Sequence, residues 1–384
     1  MTEAIVHASP VVPAPTAVPL KGSHPRSGLP TYLTVDRTLR VKVIDACGMT
    51  CTFCHNEGTP VVADNLGRDL PNMTSAGKSG RVSIYLGTNG AKFLPATVAP
   101  DAELTSTLEL LRDTLQVNEL HLTGGEPTLH PRLSELVALG VRSGYRVCAT
   151  SNGENGARTL PACGQAGLDR VNFSVFGTTA EELAQVQHAK YANRQRAEKK
   201  ILALQESVRV ALRHGIGASV NIVVPDATHV ERVHRLLAEY SPAVSVRLLN
   251  SLADGEESIN AIHSLLVALK ATPVSLAVTA GASGWRTEYR LPSGRTIYFK
   301  QIRRVRLPQT CEGCRFNNGT ECEEGYYGVR LYRDRRGGYQ VGVCIQRMDL
   351  CLPVEEFVRS DLRNEILSLR EAEFRKLAVK YAAS

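Results

Sequence analysis

The chain has 384 residues, 43% of them hydrophobic and 22% charged, which is ordinary for a globular protein. This length allows two or three domains with a large core, and the composition excludes collagen-like, coiled-coil and wholly disordered proteins. The 45 Lys and Arg residues outnumber the 38 Asp and Glu residues by seven, an excess that suits an anionic small ligand as well as nucleic acid.

Targeting and membrane signals are missing from the sequence. No apolar run approaches the roughly 18 residues that span a bilayer. The N-terminus lacks a basic stretch followed by an apolar stretch, so no secretory signal is predicted. We therefore expect a cytoplasmic protein that does not contact membranes.

The first 36 residues are rich in proline, alanine, valine and serine. Proline at this density fixes φ and removes backbone donors, which disfavours both helix and sheet. We expect residues 1–36 to be a disordered tail; an ordered arm packed on the body is the alternative.

Residues 37–270 alternate short β-rich runs with amphipathic helical patterns, such as Leu104, Leu108, Leu111 and Leu115. Strand–helix alternation predicts a parallel sheet with right-handed crossovers. We expect a partial (β/α)6 TIM-like barrel, open on one side, with a flat doubly wound sheet as the alternative. The predicted strands are Arg40–Ile44, Glu119–Thr123, Arg146–Thr150, Arg170–Val175, Ala218–Val224 and Ser245–Leu249.

Residues 61–100 break this rhythm with many glycines and prolines and one strand-like run, Val82–Leu86. We interpret them as an inserted loop. From residue 271 to 384 the pattern becomes two hairpins, turning near Pro292–Gly294 and Arg335–Gly338, and a closing helix. We expect a smaller α+β domain there, which carries most of the later cysteines.

The ten cysteines are clustered rather than scattered. In a reducing compartment, clustered thiols usually hold metal. The isolated residues Cys148 and Cys163 are interpreted as small buried hydrophobic side chains. The two groups are Cys47, Cys51 and Cys54, and Cys311, Cys314, Cys322, Cys344 and Cys351.

The first group forms a C-x3-C-x2-C triplet directly after the first predicted barrel strand. Three thiolates on one loop can hold three irons of a [4Fe–4S] cluster and leave the fourth iron open to a substrate. A zinc site with His55 as fourth ligand is the alternative. Since Cys54 and His55 are adjacent and would chelate poorly, we favour the cluster.

The triplet, with Phe53 before its last cysteine, resembles the signature of the radical S-adenosylmethionine (SAM) superfamily. Three further segments resemble its motifs in order: Thr123–Pro127, with the sequence TGGEP, Thr150–Gly153 and Val171–Ser174. The resemblance covers about residues 38–250. It implies that one electron from the cluster cleaves SAM to a 5′-deoxyadenosyl radical, which takes a hydrogen atom from a substrate.

The same resemblance implies which residues hold the cofactors. Cys47, Cys51 and Cys54 would bind the cluster. An electron donor such as flavodoxin or ferredoxin would reduce it. The residues implied in SAM binding are Phe53, Gly124, Gly125, Glu126, Ser151, Asn152 and Ser174.

Within the superfamily the chain is most similar to the GTP 3′,8-cyclases of molybdenum-cofactor biosynthesis. Cys311–Cys314, Val329–Leu331 and Cys344 follow the order of that family's auxiliary-cluster domain. The resemblance implies a second [4Fe–4S] cluster at Cys311, Cys314 and Cys344, with Cys322 as an extra candidate ligand. A zinc site is the alternative, because C-x2-C is also a common zinc half-site.

The sequence departs from the cyclases where they bind triphosphate. His121 stands in place of an arginine, Ser219 aligns with a lysine, and the chain ends Ala382-Ala383-Ser384 rather than in Gly-Gly. Losing two charged contacts costs several kcal/mol, because each charge-assisted bond contributes about 1.5–3 kcal/mol. We therefore expect another substrate, with Arg40 and Arg330 as its anchors.

Our interpretation is a radical SAM enzyme of lyase or oxidoreductase type acting on an anionic small molecule derived from a nucleotide or sugar. It would cyclise, rearrange, decarboxylate or dehydrogenate that molecule. The alternatives are a divergent GTP cyclase, a peptide-modifying member of the superfamily, and a zinc-binding nucleic-acid module. The last leaves the four barrel motifs unexplained, so nucleic acid is not the expected partner.

Overall fold

The computed structural model describes residues 18–23, 29–51, 53–54, 92–93, 95–187, 189–317, 322, 325–345 and 347–382. The strands in these ranges are β1 Val18–Ser23, β2 Pro30–Val35, β3 Thr38–Ile44, β4 Pro95–Ala96, β5 Glu119–Gly124, β6 Arg146–Ser151, β7 Arg170–Ser174, β8 Gly217–Val224, β9 Ser245–Asn250, β10 Thr272–Ala280, β11 Gly284–Arg290, β12 Thr296–Ile302, β13 Val329–Asp334, β14 Tyr339–Gly342 and β15 Leu352–Pro353. The α-helices are α1 Ala102–Leu115, α2 Leu133–Arg142, α3 Gly156–Gln165, α4 Ala180–Gln185, α5 Arg194–Arg213, α6 Val230–Glu239, α7 Gly255–Ala268, α8 Val354–Phe357 and α9 Asp361–Ala382.

Six parallel strands form the centre of the sheet, in the order β3-β5-β6-β7-β8-β9. Each strand follows its spatial neighbour through at least one helix, so the chain winds in one direction as in a barrel. The strand order does not reverse, as it would in a doubly wound sheet, and the sheet is not closed. Together these two features confirm the predicted partial (β/α)6 barrel. All six predicted barrel strands are present. Val147, Cys148 and Ala149 are buried in succession, as expected for a strand covered on both faces.

In helix α1 the leucines of the predicted helical pattern lie on one face, which packs in the main core. Asp101 precedes the helix and its carboxylate accepts a hydrogen bond from the Leu104 amide at 2.9 Å, which satisfies a donor at the helix start. The four leucines of the pattern are all buried in the main core. Replacing one of these leucines by alanine would cost about 2–5 kcal/mol.

The prediction of a disordered tail over residues 1–36 is wrong for part of that range. Residues 30–35 form β2, which lies parallel to β10, and residues 18–23 form β1, which pairs with β2. Proline is tolerated here because Pro30 is the first residue of its strand and β1 lies at the sheet edge. Leu33 is fully buried in a small core with Val278 and Tyr381, which anchors the segment.

The strands after residue 271 extend both ends of the barrel sheet. The hairpin β11–β12 joins β9 on one side, and β13–β14 joins β3 on the other. The expected C-terminal domain therefore has no separate sheet. Buried Arg295 ties the first hairpin to the barrel, because its guanidinium donates to the carbonyls of Leu237 at 2.6 Å and Tyr240 at 2.9 Å near the end of α6.

Most of the expected insertion, including Val82–Leu86, lies outside the described residues. Of its described part, Pro95 and Ala96 form β4 and pair with β13. No helix within the described ranges is long and apolar enough to cross a membrane.

Candidate active site

A cavity of about 910 Å³ opens at the carboxyl ends of the parallel strands. Ligands in parallel α/β folds bind at this edge. The four predicted motif segments come together around the cavity. Its lining includes the predicted residues Arg40, Cys47, Cys51, Phe53, Cys54, Gly124, Gly125, Glu126, Ser151, Asn152, Ser174 and Cys322.

The cysteine loop follows β3 and presents its three thiols to the cavity. Cys51 is buried, Cys47 is half-buried and Cys54 is exposed. Burial raises the pKa of the Cys47 thiol to about 12, and Glu126 and the other two thiols add to the effect. Such a thiol ionises only beside a strong positive charge, so the donor set fits an iron–sulfur cluster.

The start of this loop is held by Glu154. The Glu154 carboxylate accepts a hydrogen bond from the Gly48 amide at 2.8 Å and pairs with Lys200 of α5. A Cβ added at Gly48 would lie 1.7 Å from the Glu154 carboxylate, so only glycine allows this contact. The loop is thereby fixed to the barrel before any ligand arrives.

Gly124 and Gly125 bring the end of β5 against the cysteine loop. The Gly125 amide donates to the Ile44 carbonyl at 2.7 Å, and the Glu126 amide donates to the Ala46 carbonyl at 2.9 Å. A Cβ on Gly124 would lie 2.2 Å from the Ile44 carbonyl oxygen, and one on Gly125 would lie 2.1 Å from that of Asp45. The two glycines are therefore required by backbone contact within the protein, in addition to lining the cavity.

The Glu126 side chain is almost fully buried and joins two motifs. One carboxylate oxygen accepts from Ser151 Oγ at 2.7 Å and from the hydroxyl and amide of Thr128, and the other accepts from the Asn152 amide at 2.5 Å. Burial raises the carboxyl pKa, while these hydrogen bonds lower it. The side chain thus positions Ser151 and Asn152, which both line the cavity.

Phe53 and Phe176 form an aromatic wall of the cavity. Their ring centroids are 5.2 Å apart and the rings are tilted by 57°. Phe53 is 45% exposed, so the other face of its ring is open to a ligand. Phe176 was not singled out from the sequence, because an aromatic residue after a barrel strand usually packs in the core.

Three cations face the cavity without a carboxylate partner among the described residues. Arg40 Nη1 donates to the Tyr327 carbonyl at 3.0 Å, and Arg247 Nη1 donates to Asn172 Oδ1 at 2.7 Å. The Lys300 ammonium forms no hydrogen bond or ion pair within the described part of the chain. An anion is the chemical partner that such a set lacks.

The electrostatics of this group follow from burial and mutual repulsion. Burial, with Arg40 and Arg247 close by, lowers the pKa of Lys300 to about 8; Arg286 adds to the repulsion, and Asp36 opposes it. Burial likewise lowers the pKa of Arg247 to about 10. A bound anion would favour the charged form of both side chains and raise both pKa values.

His121 and Ser219, two of the three departures from the cyclase pattern, occupy different positions relative to the cavity. His121 lines the cavity, and burial beside Arg40 lowers its pKa to about 3, so the ring is neutral at neutral pH. Its Nε2 lies 2.8 Å from Thr150 Oγ1. Ser219 does not line the cavity, and its hydroxyl donates to Asn172 Oδ1 at 2.8 Å.

Arg330 does not line the cavity, although the sequence predicted it as an anchor. It is buried on β13 beside Arg40 of β3, and its guanidinium lies 4.5 Å from the centroid of the Tyr327 ring. Arg247 and Lys300 do line the cavity, but the sequence analysis did not single them out. A charged residue inside the buried strand β9 was the available signal for Arg247, whereas a lysine in a hairpin strand gives no such signal for Lys300.

Cys311, Cys314, Cys322 and Cys344 line a second, smaller cavity. Cys322 lines both cavities and therefore lies between them. Cys351 lines neither and packs against Phe93, Tyr332 and Met348. Arg347 points Nη1 at Cys314 Sγ, 3.8 Å away. No group of three or more His, Cys, Asp or Glu side chains within the described ranges is arranged to hold a single metal ion.

Comparison with known proteins identifies the family. Residues 41–238, just over half of the chain, match the Radical SAM superfamily. The chain belongs to this superfamily and is an enzyme of the radical SAM type. Its members use SAM and a [4Fe–4S] cluster, and the three thiols at the cavity fit that cluster.

Two relatives and one solved structure illustrate the similarity. A probable GTP 3′,8-cyclase from Aeropyrum pernix is 27% identical over 305 residues, 78% of this chain and 72% of that protein. A probable GTP 3′,8-cyclase from Metallosphaera sedula is 25% identical over 345 residues, 88% of this chain and 93% of that protein. The structure of Streptococcus suis SuiB is 14% identical, with a TM-score of 0.39 over 65% of this chain and 50% of that chain.

Proposed function

We propose that this radical SAM enzyme acts on an anionic small molecule, derived from a nucleotide or a sugar, in a biosynthetic pathway. When bound at the motif residues, the cluster and SAM would supply a 5′-deoxyadenosyl radical, with methionine as the other cleavage product, to take a hydrogen atom from the substrate. Cyclisation, rearrangement, decarboxylation or dehydrogenation then follows. A one-electron donor such as flavodoxin or ferredoxin supplies the electron.

The observation that carries the proposal is the group Arg40, Arg247 and Lys300. These side chains come from three strands and share one cavity with the motif residues, yet none has a carboxylate partner within the described ranges. Burying unpaired cations costs free energy, and a phosphate or carboxylate would recover it. The guanidinium groups are suited to bidentate contacts with such a group.

The roles of the other residues follow from their contacts. Cys47, Cys51 and Cys54 would hold the SAM-binding cluster. Gly124, Gly125 and Ser174 would offer groups to SAM, and Phe53 would pack against its adenine. Glu126 would act through Ser151 and Asn152, whose positions it fixes. Arg40 would bind the substrate directly, and Arg330 would act through Tyr327.

We further propose an auxiliary [4Fe–4S] cluster at Cys311, Cys314, Cys322 and Cys344. Their shared cavity and the adjacent Arg306 and Arg347 support this site, because positive charge stabilises thiolates. Cys322 lies in the wall between the two cavities, so a cluster here would be close to the substrate. Zinc at the same residues is the alternative that metal analysis distinguishes.

GTP 3′,8-cyclase activity is the second candidate, favoured by the named relatives. The position of Arg40 in the cavity is consistent with it. His121, which is neutral, and Ser219, which does not line the cavity, favour another substrate, because neither can supply a positive charge to a triphosphate. The non-enzymatic zinc module is set aside, since the chain belongs to an enzyme superfamily.

The test is substrate-dependent SAM cleavage by anaerobically reconstituted protein reduced with dithionite. The panel comprises GTP, other nucleotides and sugar phosphates, each beside its dephosphorylated counterpart. We expect some phosphorylated compounds, and none of their counterparts, to accelerate 5′-deoxyadenosine formation and to be consumed. Arg247→Gln should remove this effect, while Arg290→Gln at an exposed site should not. Efficient cyclisation of GTP would support the second candidate, and equal stimulation by dephosphorylated compounds would contradict the first.

A further inference from the structure

Gln187 contacts the cysteine loop at Thr50 and Cys51. It follows α4 and forms an antiparallel bridge with Cys51. Its side-chain carbonyl oxygen accepts from the Thr50 amide at 2.7 Å and from the Thr50 hydroxyl at 3.3 Å, and its Nε2 lies 3.3 Å from Cys51 Sγ. Gln187 is not among the residues that line the main cavity, so its described contacts are with the loop.

The orientation of this amide is fixed by its partners. The Thr50 backbone N–H can only donate, so it must face the Gln187 oxygen rather than its NH2 group. The NH2 group therefore faces Cys51 Sγ as a donor. Asn152 forms a similar contact, with Nδ2 3.5 Å from Cys47 Sγ and Oδ1 accepting from the Glu154 amide at 2.9 Å.

A donor at a ligand sulfur changes the energy of cluster reduction. One electron enters the [4Fe–4S] cluster from an external reductant, and the thiolates and cluster together become more negative by one charge. An N–H group directed at the sulfur stabilises the more negative state more strongly. Hydrogen bonds to the sulfurs are among the factors that set the potential of such clusters.

We propose that Gln187 is a positioning residue that raises the reduction potential of the SAM-binding cluster through its hydrogen bond to Cys51. Sequence motifs do not mark it, because it lies more than a hundred residues after the triplet. The inference rests on the cluster that the family uses and is independent of the substrate. Gln187 thereby sets how readily the SAM-binding cluster accepts its electron.

The test is an EPR-monitored redox titration of the reconstituted protein without substrate, following the cluster signal that SAM addition perturbs. Gln187→Glu keeps the acceptor for Thr50 and removes the donor to Cys51. We expect the equilibrium constant for reduction to fall about tenfold, which is about 59 mV for a one-electron couple. Gln187→Met, which adds no charge, should shift the potential in the same direction.

Gln185→Glu is the matched control, because Gln185 is exposed two residues earlier and the same charge is added. Its potential should stay near that of the wild type. Equal shifts in the Gln185 and Gln187 variants would overturn the proposal in favour of a general field effect. Unchanged potentials in both Gln187 variants, or loss of iron loading in both, would assign Gln187 to holding the loop alone. A wild-type protein without any cluster signal would instead refute the cofactor assignment.

Discussion

Arg40 and Tyr327 connect the first barrel strand to the C-terminal part of the chain. Arg40 Nη1 donates to the Tyr327 carbonyl at 3.0 Å, and the guanidinium lies 4.5 Å from the centroid of the Tyr327 ring. Arg330 lies at the same distance from that ring. A Cβ on Gly328 would lie 2.6 Å from Arg40 Nη1, so the chain beside Tyr327 leaves just enough room for the arginine. The proposed anion anchor in the barrel, Arg40, is thus oriented by residues outside the barrel.

This arrangement predicts unequal effects of two conservative substitutions. Arg40→Lys keeps the charge but loses the planar fork, so KM for the substrate should rise about tenfold, equivalent to roughly 1.4 kcal/mol. Arg330→Lys should weaken turnover less, because Arg330 does not line the cavity and would act on the substrate through its stack on Tyr327, worth about 0.5–2 kcal/mol. Steady-state kinetics would measure both, with exposed Arg359→Lys as the control. Wild-type kinetics in both variants would mean that neither arginine serves the substrate.

Lys300 predicts a pH dependence of substrate capture. Its pKa is lowered to about 8, so the ammonium is mostly charged at pH 7 and is lost as the pH rises through about 8. The charged form binds an anion, so kcat/KM should fall across that range. Lys300→Met should lower kcat/KM at pH 7 and remove most of its fall above pH 7, whereas exposed Lys376→Met should do neither. If kcat/KM of Lys300→Met still falls with rising pH as in the wild type, the titration belongs to another group.

Glu126→Gln tests how the second and third motifs are joined. The amide nitrogen of glutamine would face a donor, either the Asn152 amide or the Ser151 and Thr128 donors. Leaving such a buried group unsatisfied costs about 1–3 kcal/mol. We expect weaker SAM binding by calorimetry and a lower free energy of unfolding in urea. Glu135→Gln, which alters an exposed ion pair with Arg132, should leave the free energy of unfolding close to that of the wild type, because solvent screens such a pair.

Cys51→Ala should abolish reductive cleavage of SAM, because it removes one of three ligands from the first cluster. Cys148→Ala is the control: this thiol is fully buried on β6, away from the cavity lining. Its loss should reduce stability modestly and leave cleavage largely intact. Quantifying 5′-deoxyadenosine by chromatography checks both variants. Undiminished product from Cys51→Ala would contradict the assigned cluster ligands.

Metal content tests the second cysteine group. Wild-type protein should hold iron and sulfide for two [4Fe–4S] clusters. Cys344→Ala should lose most of the iron and sulfide of one cluster. Cys351→Ala should retain wild-type iron, because its thiol packs with apolar side chains outside the second cavity. Elemental analysis after anaerobic reconstitution gives the answer. Iron for one cluster with stoichiometric zinc would favour the zinc alternative.

The sequence by itself determined the barrel and the position of its reactive edge. Strands buried on both faces require continuous apolar runs, and a right-handed parallel arrangement then brings their carboxyl ends together. The cysteine triplet and the glycines of residues 124–125 depend on local spacing, which the sequence states directly. The predicted SAM-motif residues could therefore be placed at one cavity before the structure was known.

Only the tertiary structure decided which cations share that cavity. Arg247 and Lys300 meet because β12 joins β9 in parallel, with Leu249 opposite Lys300. Arg330 is excluded because it stacks behind Tyr327. The sequence also predicted a disordered tail where residues 30–35 form a strand, because that strand depends on β10 far along the chain. These features depend on pairing between distant segments and on side-chain direction, and neither has a local pattern that a sequence can display.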